Sequence, residues 1–258
     1  MTERIDELEK YYQPIETIEV WIIRLFWSCV LLSIAVLYSD TIPTQWAQQI
    51  PGIIFVFVVL THFILSLYNR FCLIPSAERQ RRKQLLSDSF QVPLTPESTQ
   101  GYYNNPIAPS IARLGANILE SAFFAKRICA EMAKRERIKI WSYIIIWISI
   151  MVCRNTSIGF ILILTQFIFS GEIIVKWLNL EVLRSRNEKI YNNLYSVFLH
   201  QVDLTKNSGI SDILNSFASY EAAKEAASIK QSSKIFFKLN EELSKEWELI
   251  CRKLKING

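Results

Sequence analysis

The sequence predicts an all-α integral membrane protein, with four transmembrane helices in two hairpins, a cytoplasmic helical insert and a helical C-terminal tail. Half of the 258 residues are hydrophobic, and mean hydropathy is +0.18 although 21% of the residues are charged. The apolar residues must therefore be concentrated in particular segments. Four such segments can be read along the chain, and the two short links within the hairpins contain one arginine and no lysine. These observations predict the fold class.

The four apolar segments cover about 18–38, 51–68, 138–153 and 158–180. A membrane-spanning helix needs about 20 mainly apolar residues, and the uncharged part of each segment is shorter than that. Lysine and arginine side chains that reach toward the interface, together with tryptophan and tyrosine near the segment ends, would extend each span. The alternative is a soluble helical bundle, whose helices should carry polar faces that these segments lack.

The links inside the two predicted hairpins are short. Residues 39–50 join the first pair of segments, and Pro51 then suits the first turn of the second helix. Residues 154–157 alone join the second pair. Two helices with so tight a link are expected to be antiparallel neighbours.

The distribution of lysine and arginine predicts the orientation. The 39–50 link contains none and the 154–157 link contains one, whereas 70–139 contains twelve and the tail beyond Leu180 contains twelve more. The positive-inside rule therefore places both termini and the middle region in the cytoplasm. The predicted parts are a cytoplasmic N-terminal segment, a transmembrane hairpin, a cytoplasmic insert, a second hairpin and a cytoplasmic tail, at residues 1–17, 18–68, 69–137, 138–180 and 181–258.

The insert contains the candidate ligand-binding residues. A basic run near the end of segment two would either anchor the chain at anionic lipid head groups or bind a phosphate-bearing ligand. The loop that follows it is rich in proline and glycine. Its tyrosine–asparagine group would either stack on and read a nucleotide base or form a packed structural turn. The candidates in these two groups are Arg79, Arg81, Arg82, Lys83, Tyr102, Tyr103, Asn104 and Asn105.

Two apolar stripes with steps of three and four residues predict long packed helices. A helix from Ser110 is expected to run unbroken into segment three, and segment four is expected to continue past the membrane. Asn187 lies on the first stripe, where it would fix register or oligomeric state. The stripes would pack within one subunit or between subunits. They comprise Leu180, Leu183, Asn187, Ile190, Leu194 and Val197, then Phe236, Leu239, Leu243, Trp247, Ile250 and Leu254.

The polar residues within or beside the apolar segments form a second group of candidates. Ionisable groups at such positions tend to face a bundle interior or an aqueous path. They would either line a pore or make local contacts, and Glu172 and Lys176 have the i, i+4 spacing of a helical salt bridge. The group comprises Arg24, His62, Gln166, Glu172 and Lys176.

Catalytic and metal-binding patterns are not found in the sequence. The two histidines are far apart, the five cysteines form no CxxC pair, and no glycine-rich phosphate loop is present. We therefore expect neither an enzyme nor a bound metal or cofactor. A net charge of +5 is too small to favour a nucleic-acid polymer as a partner.

The order of features resembles the S-4TM family of predicted pore-forming effectors in bacterial CBASS-type anti-phage systems. The resemblance is carried by AERQRRKQLLSDSF at 77–90, GYYNN at 101–105 and ILESAFFAKRI at 118–128. It implies activation by a cyclic-oligonucleotide messenger, after which the protein would oligomerise or open and disrupt the inner membrane of the infected cell. The implied partners are this messenger, the lipid bilayer and further copies of the chain. The alternative is a non-conducting membrane scaffold whose helical tail recruits a protein partner.

Overall fold

The computed structural model describes residues 5–41, 43–97, 99–100, 102–103, 105–152, 157–168 and 171–256. Within these residues the long elements are all helices, which confirms the all-α prediction. The helices are α1 (Glu9–Leu37), α2 (Gln45–Tyr68), α3 (Ile74–Phe90), α4 (Ile111–Val152), α5 (Ile158–Ile168), α6 (Lys176–Leu199), α7 (Asn207–Ala227) and α8 (Ser233–Leu254). One short antiparallel pair joins β1 (Ile5–Asp6) to β2 (Thr99–Gln100).

The chain divides into two compact units. The first, here called the polar unit, comprises Met1–Tyr12, Ile74–Ala133 and Asn179–Gly258. The second, here called the apolar unit, comprises Gln13–Leu73 and Lys134–Leu178. The chain therefore passes between the units four times.

The core of the polar unit is formed mainly by α4, α6, α7 and α8. Trp247 of α8 is 1% exposed, and its ring stacks on Phe123 of α4 at a centroid distance of 6.1 Å. Gly115 permits the close approach of α4 to its neighbours, because a Cβ atom there would lie 3.0 Å from Ile213 Cδ1 and 3.3 Å from Phe198 Cζ. These contacts place the first half of α4 at the centre of the unit.

Both predicted apolar stripes are confirmed, and both pack inside the polar unit. Most of the stripe residues on α6 and α8 are buried there. Asn187 is fully buried, and its Nδ2 donates to the Leu183 carbonyl at 2.8 Å. Asn187 is therefore buried within one subunit and bonded within its own helix. These contacts argue that it stabilises the packing of the chain itself and does not fix the oligomeric state.

The apolar unit carries large hydrophobic side chains on its surface. Exposed examples occur on all of its long helices, among them Leu31, Phe57, Phe63, Ile145 and Leu162. Aromatic contacts join its helices, including the buried Phe26 against Phe167 and the exposed Trp27 against Tyr143. An apolar surface this extensive is typical of a protein region that faces lipid or another protein.

Among the described residues, three helical stretches are long and apolar enough to cross a membrane. They are Glu9–Leu37, Trp46–Phe90, which runs through α2 and α3, and Ile158–Leu199, which includes α5 and α6, and each contains an 18-residue window with a mean hydropathy above 2. The predicted third segment is the exposed C-terminal end of α4, where charged residues come shortly before the apolar run. These helices are compatible with a multi-pass membrane protein. Residues 154–156 of the predicted second hairpin link lie outside the described residues.

The prediction that α4 runs unbroken into segment three is confirmed, since it is one helix from Ile111 to Val152. The prediction that Pro51 starts the second helix is wrong. That helix begins at Gln45, so Pro51 lies inside it. Proline is well suited to a first turn because its missing N–H has no helical partner there, but here the helix extends upstream into the predicted link.

Two single-turn π helices were not predicted. They lie at Asn69–Leu73, between α2 and α3, and at Gly171–Val175, before α6. Each interrupts the chain shortly before it returns from the apolar to the polar unit. A π turn inserts an extra residue and rotates the side chains that follow, which a search for apolar periodicity does not detect.

Candidate functional site

Helix α3 divides the predicted basic run into two pairs. Arg79 and Lys83 are exposed, whereas Arg81 and Arg82 are half-buried and contact other parts of the polar unit. Positions 79 and 83 lie on one face because they are one helical turn apart. Residues that are contiguous in the basic run therefore lie on two different faces of α3.

Arg82 joins α3 to α7. Its Nε donates to Glu221 Oε2 at 2.6 Å, and its second amino group makes a short contact with Glu225 Oε1. Guanidinium groups that engage carboxylates in this way are held in a fixed orientation. Arg82 is thus committed to an internal ion pair.

A second ion pair between the same helices involves Lys224. Its Nζ lies 2.5 Å from Glu78 Oε2 of α3 and 3.5 Å from Glu221 Oε1, and its side chain is 11% exposed. Burial alone lowers the pKa of Lys224, but the surrounding Glu78, Tyr220 and Glu221 outweigh it, and the pKa is raised. We call Glu78, Arg82, Glu221, Lys224 and Glu225 the charge network.

Arg81 extends this arrangement to the N-terminal segment. Its guanidinium lies 4.5 Å from the ring centroid of Tyr102 and 5.5 Å from that of Tyr12. Lys230 Nζ donates to the Tyr12 carbonyl at 3.4 Å and lies 5.6 Å from its ring centroid. Burial raises the pKa of Tyr12 strongly. Tyr12 is the last residue of the polar unit before the chain enters the apolar unit.

The rest of the tyrosine–asparagine group holds the insert loop in place. Tyr103 packs on the core and meets Tyr102 edge-on at 4.8 Å. Asn105 Nδ2 donates to Asn117 Oδ1 at 2.6 Å, and Asn117 in turn donates to Asp88 Oδ2 at 2.8 Å. These contacts are those of a packed structural turn. Asn104 lies outside the described residues.

The structure therefore brings together four of the eight candidate ligand-binding residues: Arg81, Arg82, Tyr102 and Tyr103. Arg81 and Tyr102 stack on each other, and Arg82 enters the charge network on the same helix. Sequence reasoning missed Tyr12, Lys224 and their partners. The only available signal was the acidic and basic alternation at positions 221, 224 and 225, which is also common on solvated helix faces.

Among the side chains that the structure describes, the polar candidates in the apolar unit form no cluster comparable to the charge network. Arg24 is exposed, with its guanidinium 5.2 Å from the ring centroid of Trp21, and Gln166 is exposed on α5. His62 lies beside Phe26 at a ring-centroid distance of 6.3 Å. Lys176 is half-buried at the start of α6, and the Glu172 side chain lies outside the described residues.

No group of three metal-binding side chains is found among the described residues. No protein-family model, curated protein or solved structure matches the chain. Functional inference therefore rests on the chain's own geometry, and in particular on the contacts that join the N-terminal segment, α3, the insert loop and α7.

Proposed function

We propose that the protein is a ligand-gated membrane effector of anti-phage defence. In this proposal a cyclic-oligonucleotide messenger binds the polar unit, and the apolar helices then assemble or open and disrupt the bacterial inner membrane. One observation carries the proposal: the charge network and the Arg81 stack fasten together chain segments that lead directly into the apolar unit. Tyr12 immediately precedes one passage, and α3 immediately follows the next.

The course of the chain supports four membrane crossings and a shared location for both termini. Each excursion into the apolar unit, Gln13–Leu73 and Lys134–Leu178, begins and ends in the same compact polar unit. If that unit lies on one side of a membrane, each excursion must cross an even number of times. The basic residues of the polar unit then favour the cytoplasmic side.

Gating requires an element with two arrangements whose balance a ligand can shift. Buried ion pairs suit this role because their desolvation cost and mutual attraction nearly cancel. The Glu78–Lys224 and Arg82–Glu221 pairs tie α3 to α7. Loosening them would release α3, which is joined through the π turn at Asn69–Leu73 to the apolar helix α2.

Membrane disruption by this chain would require several copies, because four helices enclose too little space for a wide pore. The exposed apolar side chains of the apolar unit suit contact with lipid or with other copies. Arg24 and Gln166 are exposed polar groups on this unit. Contact between copies would allow these groups to face an aqueous path.

The direct test is leakage from liposomes that contain the purified full-length protein. Cyclic di-AMP, cyclic GMP–AMP and cyclic tri-AMP would be added separately, and release of an encapsulated dye would be measured. We expect release with one of these messengers. The substitution Arg82→Ala should change the messenger concentration needed for dye release, because it removes the ion pairs of Arg82 from the charge network. Lys83→Ala removes an exposed charge from the same helix and should leave the response unchanged. Absence of leakage with every messenger would refute the proposal.

The topology has its own test. Single cysteines would be placed at Trp46, between the first two apolar segments, and at Lys245 in α8, and labelled from the outside of spheroplasts with an impermeant maleimide. We expect labelling at position 46 and protection at position 245. Labelling at both positions would contradict a cytoplasmic polar unit.

The scaffold alternative also has a structural observation in its favour. The apolar stripe of α8 packs inside the polar unit. On the same helix, however, Phe237 and Leu249 are 67% and 62% exposed. A protein partner could be recruited by these residues. If Phe237→Glu with Leu249→Glu abolished phage protection while dye release stayed normal, the scaffold function would be favoured.

A further inference from the structure

A cavity in the polar unit lies where the insert loop, α6 and the C-terminal end of the chain meet. Its volume is about 320 Å³, and it is lined by Pro106, Ile107, Phe198, Lys255 and Ile256. This volume lies at the lower end of the range for small-molecule sites. Four of the five lining residues are apolar, and the fifth is a lysine.

Further cationic and aromatic residues lie within three positions in sequence of the residues that line the cavity. Tyr195 lies one turn before Phe198 on α6, and Lys253 Nζ is 5.6 Å from its ring centroid. Lys255, which lines the cavity, follows two residues after Lys253. Neither ammonium forms an ion pair with a carboxylate within the part of the chain that the structure describes. Both lysines are therefore available to an anion.

The walls of the cavity are fixed by contacts behind them. Arg113 donates to the Ile107 carbonyl at 3.2 Å while pairing with Asp88, which holds the loop wall. Gly115 lets α4 press against the ring of Phe198 from the other side. Sites held by such supporting contacts bind without a large ordering cost.

We propose that this cavity binds a phosphate-bearing ligand that carries a flat aromatic ring. The ring would lie against Ile107 and Phe198, and the phosphate would be held by Lys253 and Lys255. The inference rests on the proposed function and deepens it, because it assigns the place where the cyclic oligonucleotide binds. It also moves that place away from the basic run of α3.

The insert loop connects this cavity to the charge network. One end of the described loop, Pro106 and Ile107, forms the cavity wall, and a few residues earlier Tyr102 stacks on Arg81. Arg81 also contacts Tyr12, where the chain enters the apolar unit. A ligand in the cavity would therefore contact the same loop that carries the Arg81 stack.

The test measures binding of the same three cyclic oligonucleotides to full-length protein in nanodiscs by isothermal titration calorimetry. Two cavity variants are used: Lys253→Glu with Lys255→Glu, which reverses the rim charge, and Ile107→Trp, which fills the cavity. We expect each to weaken binding by at least about tenfold, because the first removes the charge-assisted hydrogen bonds to the phosphate and the second leaves no room for the ring. The matched control Lys245→Glu, with Glu241→Lys to restore its exposed pair on α8, should bind as the wild type does.

Folding is monitored for every variant by the thermal unfolding midpoint. Weakened binding in folded cavity variants, with normal binding in the control, would support the site. Normal binding in both cavity variants would overturn the site while leaving the proposed function standing. If no cyclic oligonucleotide bound the wild type, the site and the messenger-gated function would both be overturned. Inorganic phosphate serves as a further probe, and binding as tight as that of the nucleotides would overturn the role assigned to the ring.

Discussion

The charge network between α3 and α7 permits a quantitative test with Lys224→Met. Methionine keeps an unbranched side chain of similar length but removes the charge, so that packing is largely preserved. Lys224 is 11% exposed and is paired with Glu78, which is 13% exposed. The substitution leaves the Glu78 carboxylate in a poorly solvated position without its cation.

Removing one partner of a buried ion pair costs about 3–5 kcal/mol, because the remaining charge is uncompensated. Glu221 keeps its hydrogen bond to Arg82, so Glu78 is the carboxylate that mainly loses its cationic partner. We therefore expect the lower part of this range, about 3 kcal/mol. That free energy corresponds to a change of about 100-fold in an opening equilibrium.

Hydrogen exchange followed by mass spectrometry of the full-length protein in nanodiscs measures this change element by element. Protection in peptides from α3 (Ile74–Phe90) and α7 (Asn207–Ala227) should fall by about 100-fold. Lys245→Met is the matched control, because Lys245 pairs with Glu241 on the exposed surface of α8. Exposed pairs contribute little to stability, so protection in the control should not change.

Two results would refute this reasoning. Unchanged protection in Lys224→Met would mean that the Glu78 carboxylate does not depend on Lys224. A double variant with Glu78→Gln should be less destabilised than the sum of the two single variants, because glutamine removes the orphaned charge. Strict additivity would show that the two side chains do not interact.

Three further predictions concern separate parts of the molecule. Hydrogen bonds from Thr95, Tyr11 and Lys10 lower the pKa of Glu97 from 4.5 to about 2, so its stabilising contribution should be complete above about pH 4.5 and lost as the pH falls toward 2. Measured by thermal unfolding, the difference between wild type and Glu97→Gln should disappear over that interval. Gly209→Ala should lower the unfolding midpoint, because its Cβ atom would lie 2.6 Å from a backbone carbonyl oxygen. Cys129 should resist N-ethylmaleimide in folded protein, because burial raises its pKa to about 12, whereas the exposed Cys72 should react.

Each of these predictions has a control. A constant difference between wild type and Glu97→Gln from pH 7 to pH 2 would contradict the role given to the carboxylate. Gly52→Ala adds a Cβ atom with no atom within 4 Å, so an equal loss of stability there would contradict the steric argument for Gly209. Cys251 is also buried, and burial raises its pKa to about 12. Rapid labelling of Cys129 but not of Cys251 would contradict the prediction and would indicate local opening of α4.

Much of the fold could be predicted from the sequence because it depends on spacing along the chain. Apolar runs and three-and-four periodicity reflect one helix at a time. They correctly indicated the all-α class, the unbroken α4 and the packed faces of α6 and α8. The same logic failed at Pro51, where the helix begins upstream of the proline, and at the two π turns, where one extra residue changes the register of a helix without changing its composition.

The site depended on information that the sequence does not contain locally. Arg79, Arg81, Arg82 and Lys83 appear equivalent as a basic run, yet Arg82 pairs with a carboxylate 139 positions away and Arg81 lies between two tyrosines. The sequence by itself determined that this helix is basic and adjoins an apolar segment. Only the tertiary structure decided which of its charges are committed to internal ion pairs, because that choice is made by the distant helix that packs against it.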